Sequence, residues 1–134
     1  MKNLSNKIGT MEFDGLVTDI KPAVQVRGGT IRKLGTEATL KRGTILAKSS
    51  GTGGDGKLVV LGTTAGTNET LTPDCILCDD VVVGTAADVK AAVYTAGCFD
   101  PNKTTVATSY TVTEDDRDKL RERNIVFKAA SAAN

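Results

Sequence analysis

Apolar residues in this chain come in short runs that alternate or cluster and then stop at glycine, proline or aspartate. That punctuation predicts short strands joined by tight turns. Ala23-Val24-Gln25-Val26-Arg27 alternates apolar and polar as a half-buried strand does. Gly28-Gly29 reads as a turn, and Thr30 to Leu34 resumes extended structure before Gly35. Leu40 to Lys48 reads as a turn feeding a strand, Ser49 to Gly56 as a Gly/Ser/Thr loop, and Lys57 to Leu61 as a short apolar strand. Thr63 to Asp74 is polar and turn-rich. Cys75 to Val83 and Val89 to Ala96 are the two strongest strand signals, rich in β-branched residues.

One segment predicts a helix. Thr113-Glu114-Asp115-Asp116 has the form of a capping box, with Asp in place of the usual Glu at its fourth position. Acidic residues crowd its start while Arg121 and Arg123 fall near its end, matching the helix dipole. Asn124 suits the left-handed position that ends a helix, and Ile125-Val126-Phe127 returns as a strand. The dense charge from Asp115 to Arg123 is the wet face of that helix, with Leu120 packing inward.

Residues 1 to 10 are polar and lack a repeating apolar face. Met11, Phe13, Leu16, Val17 and Ile20 follow, interrupted by Asp14, Gly15 and Asp19, a pattern suited to lying extended against a partner. The expected organisation is a flexible N-terminal arm over 1–20, a β-rich domain over 21–128 and a small-residue tail over 129–134. The expected fold class is β-dominated α+β: one compact domain of short strands, in small sheets or a partly open barrel, with one helix in the C-terminal half.

Length and charge narrow the function. A chain of 134 residues makes one domain that buries roughly two-thirds of its unfolded surface. Its net charge of +1, from 17 basic and 16 acidic residues, gives no strong field for nucleic acid or an anionic membrane. The five aromatics are scattered and lack the basic flanks of a base-stacking platform. No apolar run forms a signal segment, and none approaches the ~20 residues that span a bilayer. The 3 cysteines are an odd number, which suits reduced thiols in a cytosolic protein. Histidine is absent, which removes the usual neutral-pH base and the commonest metal ligand.

Three patterns imitate chemistry. Gly51-Thr52-Gly53-Gly54-Asp55-Gly56-Lys57 fits a phosphate-binding loop as far as its lysine, but Leu58 stands where Ser or Thr should hold magnesium. A strand follows it instead of a helix, so a hairpin loop is expected. Cys75 and Cys78 resemble half of a zinc knuckle, yet only Cys98 remains as a further ligand. On a strand, positions three apart also face opposite ways, so buried apolar thiols are expected. Asp79-Asp80 beside Asp74 lacks the spaced oxygens of a calcium loop and reads as a solvated strand end. No enzyme, cofactor or metal site is expected.

The order of the segments resembles the lambda-type phage head decoration proteins. Ile76-Leu77-Cys78-Asp79-Asp80-Val81 is similar to their "ILxDDV" strand, and Ala91-Ala92-Val93-Tyr94 to Asp100 is similar to "AAVYxxGxF(N/D)". Leu40-Lys41-Arg42-Gly43-Thr44-Ile45-Leu46 resembles "LKRGTVL", and Leu120 to Lys128 resembles the closing "LRxxGIxLK". Phe13-Asp14-Gly15-Leu16-Val17 resembles a short aromatic-Asp-x-Leu element near the family's beginning. The likeness runs from about Phe13 to Lys128, and its weight lies in order and spacing. Asn124 departs from the family's usual glycine and tolerates the same geometry.

The resemblance implies a protein made in the host cytoplasm and carried on the virion. It would form a homotrimer on the outer face of the expanded capsid at three-fold positions and clamp the shell against internal DNA pressure. The partner would be the major capsid protein, engaged by the arm through Met11, Phe13, Leu16, Val17 and Ile20. Neither nucleic acid nor membrane is expected as a partner. The alternative is a small β-barrel binding module of a tail or baseplate.

Overall fold

The computed structural model describes residues 15–129. Nine strands and two helical turns or helices follow in order: β1 Val17–Asp19, β2 Gln25–Ile31, β3 Ala38–Leu40, β4 Ile45–Ser50, β5 Leu58–Val60, β6 Thr70–Leu77, β7 Val81–Val83 and β8 Val89–Phe99. A 3₁₀ turn at Pro101–Lys103, helix α1 at Glu114–Glu122 and β9 at Ile125–Phe127 complete the chain. The fold is β-dominated with one α-helix, as the pattern of short runs predicts, and centres on a partly closed barrel of five strands.

The barrel runs β2-β8-β6-β4-β5 and returns to β2 through a single parallel pair, Ile31 with Leu58. Its interior receives one side chain or more from every barrel strand: Ile31, Leu46, Leu58, Cys75, Leu77 and Val93. The intervening residues of β4, β5, β6 and β8 point the other way into a second core layer. There Ile45, Ala47, Val59, Ile76 and Tyr94 meet Leu16, Phe99, Leu120 and Ile125. These strands are buried on both faces, which is why Cys75-Ile76-Leu77 reads as an unbroken apolar run. The outer layer is covered by α1, β1 and β9, with β1 antiparallel and β9 parallel to the end of β8.

Helix α1 has the predicted capping box: Thr113 accepts from Asp116 N–H and the Asp116 carboxylate accepts from Thr113 N–H. Asp fills the fourth position because Tyr110 also donates to it, at 2.5 Å. Asn124 takes a φ of 68°, ending the helix as expected.

Three expectations change. Gly28-Gly29 is not a turn but the middle of β2, opposite Ala92 and Ala91. Gly29 is there for close packing, since a Cβ on it would lie 2.7 Å from Leu58 Cδ1, whereas Gly28 has open space around it. The run from Cys75 to Val83 is not one strand: β6 stops at Leu77, and β7 leaves the barrel to pair with β3 in a separate two-stranded sheet. Within β6, Pro73 lies opposite Ala47 beside a register shift, where a residue lacking N–H fits. Last, the chain is already structured before Ile20. Leu16 is 1% exposed and Val17–Asp19 is a strand, so the arm expected over 1–20 contributes at least Leu16 to the domain's own core.

Candidate interaction groove

A concavity of about 820 Å³ lies on the outer face of β2 and β8. The register explains its chemistry. Val26 pairs with Tyr94 and Gly28 with Ala92, so these four share the face opposite Val93, which points into the barrel. A barrel's outer face that meets water ordinarily carries polar side chains. Here the outer core layer continues past its cover: Tyr94 and Cys78 belong to that layer and also line the groove. Val17 and Ile20 line it as well. Ile20 is 73% exposed and Val26 55%, two of the three large apolar residues among the described ones that stand out from the surface.

Arg42 and Asp79 also line the groove. Arg42 donates through Nη1 to the Cys78 carbonyl at 2.9 Å and to the Tyr94 hydroxyl at 2.6 Å, and its guanidinium lies 5.5 Å from the Tyr94 ring centroid. Tyr94 also packs on Phe99, with ring centroids 5.2 Å apart. The groove floor is thus held by a cation over an aromatic ring and by that ring's contact with the core. Burial raises the Tyr94 hydroxyl above its usual range and pushes the Cys78 thiol up to about 11. A neutral phenol and a neutral thiol suit an apolar contact surface.

The five residues named for partner contact separate in the structure. Met11 and Phe13 lie outside the described residues. Leu16 is core: its side chain joins the outer layer and its carbonyl accepts from Asp100 N–H at 2.7 Å, so it is not available to a partner. Val17 and Ile20 do line the groove. Val24, Val26, Ala92 and Tyr94 line it too and were not singled out by the sequence. The alternation of Val24 and Val26 was visible, but nothing in it tells which face the domain covers.

The patterns that imitate chemistry resolve structurally. Gly51–Lys57 connects β4 to β5 as a hairpin loop, as expected. Its N–H groups are spent within the protein: Gly53 donates to Asn68, Gly54 to Gly51 and Gly56 to Ser49. Lys57 pairs with Asp88 at 2.5 Å, leaving no phosphate cradle. Cys75 points into the barrel and Cys78 into the outer layer, and both are free thiols, as is Cys98. Asp79 and Asp80 are exposed as expected, but Asp74 is not a solvated strand end. It is 4% exposed and salt-bridged to Arg27 at 3.4 Å and Arg123 at 3.1 Å.

Among the described residues no cluster of His, Cys, Asp or Glu is placed to hold a metal, and no helix is long and apolar enough to cross a membrane. Compared with known families and with curated proteins, the chain matches no family model and no curated protein.

Proposed function

We propose that this chain is a phage head decoration protein. It binds the outer surface of the expanded capsid at three-fold sites, as a homotrimer, and stabilises the shell against internal DNA pressure. The role is binding without turnover, and the partner is the major capsid protein. The observation that carries the reading is the apolar groove at the root of the N-terminal segment. Its exposed Ile20 and Val26 stand over a floor built from Tyr94 and Ala92, inside a motif order that resembles that family. A groove of this kind gives an extended protein segment pockets for alternate side chains.

Ile20→Asp with Val26→Asp tests it. Both positions are largely exposed, so the barrel should form as before, seen as an unchanged circular dichroism spectrum and melting profile. Co-sedimentation with expanded heads stripped of decoration should fall by at least about tenfold, the effect of losing about 1.4 kcal/mol of contact. Wild-type occupancy by the double variant would overturn the groove as the docking surface. A soluble, folded wild-type chain that never binds such heads would overturn the function.

A further inference from the structure

Strand β2 is paired along its length on one side only. Gln25–Ile31 pairs with β8, whereas on the other side a single pair, Ile31 with Leu58, joins it to β5. Among the described residues no strand lies beside Val26 to Thr30 on that second side. One hydrogen bond tells which backbone groups are left over. The Ala92 carbonyl accepts from Cys78 N–H, so it points away from β2. Antiparallel neighbours alternate between pairs that exchange both bonds and pairs that exchange none. Gly28, opposite Ala92, is therefore in a pair that exchanges none, as are Val26 opposite Tyr94 and Thr30 opposite Lys90. The outward bond from Arg32 N–H to Leu58, at 2.9 Å, fits the same alternation. The parallel pair at Ile31 engages the Thr30 carbonyl. The N–H groups of Val26, Gly28 and Thr30 and the carbonyls of Val26 and Gly28 thus face the open side. Val26 and Gly28 are exposed. Soluble proteins blunt such an edge with lysine, proline or an inward charge. Val26 to Thr30 has neither lysine nor proline, and its one charged residue, Arg27, is drawn off to Asp74 at 3.4 Å.

We propose that the shell-protein segment which docks at the groove does so as an added β-strand, hydrogen-bonded along the open edge of β2 at Val26, Gly28 and Thr30. The edge sets the chemistry of that segment. It has no proline where it bonds to these groups, and its alternate side chains lie on the groove's face. Beside Val26 and Gly28 those side chains are apolar, because Val26 continues into the floor of Ala92 and Tyr94 and a Cβ at Gly28 would meet nothing within 4 Å. Beside Thr30 the segment carries an acidic residue. Lys90 stands there on the same face, exposed and without an ion pair among the described residues. Two strand spacings, about 10 Å, separate them, which a lysine and a glutamate side chain span together. A second copy fits the edge less well. Pairing two β2 strands about Gly28 would set their Arg27 side chains diagonally across the new ladder, about 7–8 Å apart and of like charge. The identity of the partner rests on the decoration reading, whereas the open edge does not.

Amide hydrogen exchange in the full-length chain tests this. Free in dilute solution, the amides of Val26, Gly28 and Thr30 should exchange at least about tenfold faster than those of Arg27, Gly29 and Ile31, which bond to β8. On expanded heads stripped of decoration, the three fast amides should slow by at least about tenfold. Gly28→Pro removes a donor from the open side and none from β8, so it should keep the wild-type circular dichroism spectrum. Its co-sedimentation with such heads should fall by at least about tenfold, while Gly28→Ala, which keeps the donor, binds as the wild type does. If Gly28→Pro does not fold, the exchange rates alone decide. Binding with the three amides still fast, or unchanged binding by folded Gly28→Pro, would overturn the added strand and leave the decoration reading standing. Slow amides in the free protein that quicken on dilution would assign the edge to a second copy and overturn the proposal. Amides slow at every dilution would show the edge already filled and overturn it too. A folded chain that binds no heads overturns this proposal together with the reading on which its partner rests.

Discussion

Arg123, the residue that ends α1, reaches back to Asp74 on β6: its Nη1 lies 3.1 Å from Oδ1, and Arg27 of β2 holds the other carboxylate oxygen at 3.4 Å. The carboxylate side chain is 3% exposed while the two guanidinium groups are about half exposed, at 46% and 53%. One buried anion therefore ties the helix terminus to two barrel strands, and the cations keep access to water.

That asymmetry sets the cost of breaking it. Asp74→Asn removes the charge but leaves an amide to hydrogen-bond. The two arginines can rehydrate, so the loss falls below the 3–5 kcal/mol of a fully buried pair, at about 1–3 kcal/mol. Arg123→Ala should cost less than Asp74→Asn, because Arg27 still faces the carboxylate. Urea denaturation with an unchanged m value measures both. A loss under about 0.5 kcal/mol for Asp74→Asn would show that solvent screens the cluster more than its burial implies.

Much of the fold was legible because its signals are local. The Thr113 cap, the Asn124 terminus and the hairpin over Gly51–Lys57 each depend on a few neighbouring residues. What misled was whatever depends on partners distant in sequence. Gly28-Gly29 has the composition of a turn and is strand because β8 pairs along it, with Leu58 and Val93 of the two neighbouring strands crowding Gly29. Val81–Val83 continues an apolar run and changes sheet because Ala38–Leu40 offers it a partner. Asp74 looks like its neighbours Asp79 and Asp80, and only the fold brings two arginines to it. The groove was half visible for the same reason: Val17 and Ile20 stood out as apolar residues in a polar stretch. Val26, Ala92 and Tyr94 looked like ordinary strand residues until the cover of the outer layer was seen to stop short of them.

Gly43 separates conformational need from mere smallness. Its φ is +96°, and a Cβ would lie 2.6 Å from the Lys103 carbonyl oxygen, a backbone atom held by the 3₁₀ turn. Its own N–H donates to Leu77 and its carbonyl accepts from Thr105, so the residue cannot swing away without breaking both. Gly43→Ala should cost about 2–4 kcal/mol, from left-handed strain plus a collision that backbone must absorb. Gly28→Ala is the matched control: open space surrounds it, and its effect should stay within about 0.5 kcal/mol. Thermal unfolding of the two variants side by side checks the contrast. Equal losses would mean that the turn around Gly43 relaxes freely.

Acid should loosen the hairpin loop first. The Gly66 N–H, the Ser49 hydroxyl and Arg32 hold the Glu69 carboxyl down at about 2, and Arg32 with the Lys57 N–H holds Asp55 at about 2. Arg32 joins the two, reaching Asp55 at 2.9 Å and Glu69 at 2.5 Å. Because both folded pKa values lie below the unfolded ones, near ~4, the stabilisation is complete above about pH 4.5 and disappears as pH falls toward 2. The urea midpoint should be flat from pH 7 to 5 and then drop across that window. Glu69→Gln with Asp55→Asn should lower the midpoint at pH 7 and make the acid slope shallower. A double variant with the wild-type slope would assign acid sensitivity to other carboxylates, such as Asp88, which Lys57 also holds low.

The three thiols should differ in how they meet a reagent. Burial raises Cys75 well above the usual thiol range and places it inside the barrel, where a reagent has no path short of unfolding. Cys98 is 2% exposed, beneath β1, and its sulfur lies 3.4 Å from the Thr18 hydroxyl. Cys78 is 7% exposed, lines the groove and sits at about 11, so it is slow because it is protonated as well as because it is covered. At pH 8 its thiolate fraction is about 10⁻³, roughly a few hundredfold below that of an unfolded cysteine near 8.5. Native protein treated with a disulfide reagent at pH 8 should therefore show one slow phase, at least about a hundredfold below the rate in urea. That phase should rise about tenfold per pH unit up to pH 10 and vanish in Cys78→Ser. The remaining two thiols should react at one common rate set by global opening. If instead all three reacted together at every pH, the groove would open only when the whole barrel does, and Cys78 would belong to the sealed core.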